Sequence, residues 1–165
     1  MNLKNKSIAL LFSVMLMACG GKEEKKKEVI RLKQEKTEKT ADVPSDGIPA
    51  SQRVALDNKG VGPVTSVTLE AEIDQALAVQ GKGVYDQMCL ACHRPDKRYI
   101  GPAPKGVLER RSPEWVMNMI LNPQVMVKED PLAKDLLQEF NGAPMADQGL
   151  TEDQARAVLE YFRTL

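Results

Sequence analysis

Cys89-Leu90-Ala91-Cys92-His93 is the stretch whose residue types and spacing can do chemistry. Two thiols three positions apart, followed at once by an imidazole, supply what a covalently attached haem requires. Each sulfur can bond one vinyl group while the next side chain meets the iron. A Cys-x-x-Cys pair also serves as a redox dithiol or as half of a zinc site. A dithiol site belongs in a strand-helix-strand unit, and no apolar strand run surrounds this pair. A zinc site needs further Cys or His ligands, yet His93 is the sole histidine and Cys19 has another use. One covalent haem c is the expected cofactor, with Cys89 and Cys92 as its attachment points and His93 as an iron ligand.

With one histidine, bis-histidine ligation within the chain is impossible. The sixth ligand must be methionine, lysine, asparagine, a backbone group or solvent, and that choice separates a carrier from an enzyme. Beyond residue 18 the methionines are Met88, Met117, Met119, Met126 and Met145. Met88 adjoins Cys89 on the attachment side. Met117 and Met119 fall within a helical stretch, where methionine is usually core filler. Met126 and Met145 remain, both expected in loops. Met145 follows Pro144 in a loop held at both ends, by Gly142 and by a capping box at Thr151, and a weak thioether ligand needs such fixing.

Gly81-x-x-x-Tyr85-x-x-x-Cys89-x-x-Cys92-His93, then Gly101-Pro102, then Pro144-Met145 and a terminal helix with Tyr161-Phe162, resembles a class I cytochrome c over residues 74–165. The resemblance implies an all-α fold, about four short helices packed around one covalent haem. It places the distal methionine just before the terminal helix, which makes Met145 the expected ligand and Met126 the alternative. It also implies that the Pro102 carbonyl accepts the N–H of the proximal imidazole, a bond that orients the ring.

The positioning elements follow from period and punctuation. Ile73, Ala76, Leu77, Val84, Tyr85 and Met88 keep a helical period up to the haem motif, interrupted by Gly81 and Gly83. Glycine inside a helix is costly unless another backbone comes close, and the resemblance implies that the last helix is that partner. Ala155, Val158, Leu159 and Phe162 form the apolar face of that helix, started by a Thr151/Gln154 capping box and flanked by Tyr85 and Tyr161 at the crossing. Ser112-Pro113 starts a helix that Asn122-Pro123 stops, and Asp130-Pro131 starts another that Asn141-Gly142 ends. Trp115, Arg110 and Arg111 are placed equally well as haem-propionate partners and as ordinary packed or solvated residues.

Residues 1–18, with Lys4 and Lys6 ahead of an apolar run from Ile8 to Ala18, read as a secretory signal too short for a comfortable membrane span. Leu16-Met17-Ala18-Cys19 resembles a bacterial lipoprotein cleavage box, which makes Cys19 the lipidated first residue of the mature chain. Residues 19–62 are expected to form a disordered tether, first rich in Lys and Glu and then in Pro and Gly. A coil of that length spans on the order of 40 Å. Residues 63–73 form either one short strand or an extended arm. The haem domain is expected at 74–165.

Aromatics are only 4% of the 165 residues, a thin core that haem would complete. Lys plus Arg equals Asp plus Glu, so nothing in the charge argues for nucleic acid. The resemblance implies a non-enzymatic one-electron carrier with no small-molecule substrate. It would be exported and lipid-anchored to a bacterial membrane facing the periplasm, although the Gly21-Lys22-Glu23-Glu24 stretch leaves the membrane face open. Redox proteins, a terminal oxidase or a periplasmic reductase, are the expected partners. The competing reading is a haem enzyme or gas sensor with an open sixth position, against which stands the lack of a distal histidine. Arg94, Lys97, Arg98, Lys105, Arg110 and Arg111 crowd the segment after the haem motif and are either a docking rim or ordinary surface.

Overall fold

The structure, a computed structural model, describes residues 47–165. The signal peptide, Cys19 and the tether up to residue 46 lie outside the described residues. Five α-helices follow in order: α1 (Gln75–Met88), α2 (Pro113–Leu121), α3 (Pro123–Glu129), α4 (Pro131–Glu139) and α5 (Glu152–Phe162), with a short 3-10 turn at Val107–Glu109. No strand occurs among the described residues, only an isolated bridge between Ala55 and Arg111.

Local chemistry sets the helix starts. Asp74, Ser112 and Asp130 each accept a hydrogen bond from a backbone N–H three residues on, which satisfies a donor the helix cannot. Thr151 and Gln154 form the expected reciprocal box. Proline opens α2, α3 and α4, where its missing N–H is not needed. At Asn122-Pro123 the expected stop is also a start. Asn122 closes α2 through the Asn118 carbonyl, and its own carbonyl accepts from Met126 to begin α3. The segment read as a loop around Met126 is thus a helix, because a proline that ends one helix is a good first residue for the next.

α1 crosses α5 at Gly81, where a Cβ would overlap the Ala157 carbonyl. Gly83 has open space around it, so close approach explains one of the two glycines and not the other. The buried face of α1 is Ala78, Gly81 and Tyr85, while Ala76 and Met88 are exposed, which shifts the face expected from the apolar period. Beside the crossing, the Tyr85 ring lies 5.3 Å from Tyr161 and 5.7 Å from Phe162, the latter nearly edge-on. Ala155, Val158 and Leu159 are fully buried.

Ahead of α1 the chain packs against the helical unit. Residues from 50 onward lie on the helices: Ala50 and Val64 are buried, and polar side chains distant in sequence bind the backbone of this arm. Asn118, 1% exposed, accepts from Val64 N–H and donates to the Val64 and Lys59 carbonyls. One buried side chain thereby does what a neighbouring strand would do, so the arm needs no sheet. Ser112 Oγ donates to the Asn58 carbonyl, and Arg163 donates to the carbonyls of Glu70 and Glu72.

Candidate functional site

The haem motif continues the end of α1 by one tight turn. Cys92 and His93 N–H both donate to the Cys89 carbonyl, at 3.0 and 2.9 Å. This turn puts Cys89, Cys92 and His93 on the wall of one cavity of about 230 Å3, lined also by Met145, Pro102, Trp115 and Phe140. Tyr85 Oη donates to the His93 carbonyl at 2.8 Å, so the aromatic crossing of α1 and α5 also holds the motif. Nothing in the sequence period announces that bond.

His93 Nδ1 lies 2.8 Å from the Pro102 carbonyl. A carbonyl only accepts, so Nδ1 carries the proton and Nε2 keeps its lone pair for iron. The ring packs directly on Gly101, where a Cβ would overlap Cε1. Glycine at 101 is what lets the imidazole lie close to the loop that orients it. The Gly101 N–H in turn donates to the Cys92 carbonyl at 2.9 Å.

As a free thiol Cys89 has its pKa pushed up to about 11, by burial first and then by Cys92. A redox dithiol needs the opposite, a lowered pKa that exposes thiolate at neutral pH. The two cysteines are also placed differently, Cys89 half-buried and Cys92 exposed.

Of the two candidate distal methionines, Met145 is partly buried and lines the cavity with His93. Met126 does not. It is fully buried in α3, and its sulfur accepts from Val61 N–H at 3.0 Å beneath Gly60. Met117 is buried elsewhere, while Met119 and Met88 touch the cavity from α2 and from the end of α1.

The basic residues after the motif divide. Arg98 is held by Glu139, through Oε1 at 3.1 Å and the backbone carbonyl at 2.6 Å, and lies over the Phe140 ring at 3.9 Å. Arg111 is buried. These two are parts of the fold, which leaves Arg94, Lys97, Lys105 and Arg110 for any docking rim. Trp115 directs its indole N–H to Asp130 at 3.2 Å, so that donor is already used.

The residues fit a c-type haem: two sulfurs beside an imidazole with a free Nε2, a thioether in the same cavity, and largely apolar walls. A family model described as cytochrome c matches residues 78–165. Among solved structures, cytochrome c from Rhodothermus marinus is 50% identical, with a TM-score of 0.61, over 62% of this chain and 88% of that one. An engineered form of the Rhodothermus marinus protein is 48% identical at a TM-score of 0.60 over 62% and 89%. The same engineered protein bound to a carbene intermediate gives 48% and 0.58 over 62% and 88%. A comparison with proteins of curated function finds no match. The motif, the all-α fold around its cavity and these likenesses together make the chain a member of the cytochrome c family, a class I mono-haem protein that carries covalent haem c in an electron-transfer role.

Proposed function

We propose that in this electron carrier His93 and Met145 would ligate the haem iron, and that the protein serves a membrane-bound or periplasmic terminal oxidase or reductase. Haem supplies an iron that takes up and releases one electron. The chain's own residues do the rest. Cys89 and Cys92 would hold the macrocycle through thioethers, Pro102 orients the ring of His93, and the Met145 thioether would occupy the remaining position on the iron. The observation that carries this reading is that Met145 lines the cavity of His93 whereas the sulfur of Met126 is spent on Val61.

Placement outside the cytoplasm by residues 1–18 and lipidation at Cys19 are the other half of the proposal, and they rest on the sequence motifs. No helix among the described residues is long and apolar enough to cross a membrane. The lipid would be the attachment, with the charged segment after Cys19 as its spacer.

A second reading, a haem enzyme or gas sensor, draws on the engineered Rhodothermus marinus relative bound to a carbene. Here a comparable ligand would first need Met145 to leave. Mixing the reduced holoprotein with carbon monoxide separates the two. A carrier resists the gas, and a wild-type protein that binds it rapidly has an open position and is not the carrier proposed.

A further inference from the structure

Arg111 lines the haem cavity and is 3% exposed. Its guanidinium sits 5.2 Å from the centre of the Trp115 ring. All its hydrogen bonds go to backbone carbonyls: Nη1 donates to Arg53 and, at 2.9 Å, to Arg110, and Nη2 donates to Ala50 at 2.6 Å. No carboxylate among the described residues lies within ion-pair distance of it. Burial, then Arg110 and Arg53, pushes its pKa down to about 10, which still leaves a cation at neutral pH.

Two of the three carbonyls, those of Ala50 and Arg53, belong to the arm, which precedes the matched family region. The arm is docked at this place by neutral and charged contacts. Ser51 donates to Glu139 from its N–H at 2.7 Å and from Oγ at 2.6 Å, and Ala55 N–H donates to the Arg110 carbonyl at 2.9 Å. Arg53 pairs with Asp135 at 2.7 Å. A charge kept from water acts through an effective dielectric of about 20, against about 80 once hydrated, so its influence depends on whether the arm is in place.

We propose that residues 50–55 are a redox-tuning clamp: their carbonyls hold Arg111 as a desolvated cation in the wall of the haem cavity, and this favours the ferrous state. The inference rests on the carrier reading. Reduction adds one negative charge at the iron, which a fixed cation nearby stabilises. Coupling of this kind is reciprocal, so reduction must tighten the arm as much as the arm favours reduction. Arg111 is here a positioning residue, acting on potential and not on any substrate.

The test uses the intact holoprotein. Hydrogen exchange at the Ala55 amide, which bonds the Arg110 carbonyl, is expected to be about tenfold slower in the ferrous than in the ferric protein. A tenfold coupling corresponds to about 59 mV for a one-electron couple. Arg111→Gln should lower the midpoint potential. Because that variant risks misfolding, Ala55→Pro and Ser51→Ala, which change no charge and leave Arg111 in place, should lower it in the same direction. Arg111→Gln should also erase the redox dependence of Ala55 exchange. Equal exchange in the two oxidation states overturns the clamp, as does a loosened arm with an unchanged potential. Either result, obtained while the wild type still excludes carbon monoxide, sinks the clamp and leaves the carrier reading standing.

Discussion

At the scale of single residues, the two loop methionines of the sequence part company once the fold is seen. Met145→Ala should open the iron to carbon monoxide and lower the reduction potential, because a thioether that favours ferrous iron is lost. Met126→Ala should leave the spectrum unchanged but cost about 2–5 kcal/mol, read as a fall in the denaturation midpoint, since it empties a fully buried site and orphans the Val61 N–H. The reverse pattern would put the wrong methionine on iron. The haem motif itself was plain from spacing, since thiols and imidazole must be near in sequence to sit on one turn. The packing of His93 on Gly101 was not, because a glycine before a proline reads equally well as a plain turn.

Among elements, the two glycines of α1 make the sharpest contrast. Gly81→Ala should destabilise by about 1–3 kcal/mol, because the new methyl meets a carbonyl of α5 that belongs to a rigid helix backbone. Gly83→Ala, in open space at a helix interior, should stabilise by about 0.5–1 kcal/mol. Thermal unfolding of the two holoproteins reads both signs, and a stabilised Gly81→Ala would mean that the helices do not cross there. α5 and its capping box were readable because both lie within a few residues of sequence. α3 was missed because a proline carries the same letter whether it closes one helix or opens another. How the arm docks was not readable for a different reason: its partners, Asn118, Ser112 and Arg163, stand dozens of residues away and leave no period behind.

For the whole molecule, three outcomes are expected. Cys19→Ser in the precursor should release the protein from membranes, because among the described residues nothing is apolar and long enough to insert; persistence on membranes after a high-salt wash would defeat the lipid-anchor proposal. Electron transfer to an acidic partner should slow with added salt, and less so in Lys97→Glu, since Lys97 is exposed. A rate indifferent to salt would leave that rim without a docking role. Acid stability should turn on Glu160, which bridges Arg156 and Arg163 and accepts from Asp74 N–H. Burial pushes its pKa up, but the hydrogen bonds and the two arginines outweigh this and hold it below the ordinary value. The folded pKa is the lower one, so the stabilisation is present above the usual glutamate range near about pH 4.3 and is lost as pH falls below it. Glu160→Gln should flatten that part of the acid-unfolding curve, and an unchanged curve would show the triad to be idle.

By itself the sequence determined the covalent haem, the all-α class and the ends of most helices, and it named His93 as the candidate proximal ligand. Each of these is written in contacts between near neighbours along the chain: a Cys-x-x-Cys-His turn, a capping side chain three residues from its donor, an apolar face with helical period. Only the tertiary structure decided how residues 50–73 pack on the helices, which of Met126 and Met145 lines a cavity with His93, which glycine of α1 meets another backbone, and that Arg111 is a wall and not surface. Those are contacts between segments far apart in the chain, chosen by the space left when the helices close around the cavity, and local residue patterns carry no record of them.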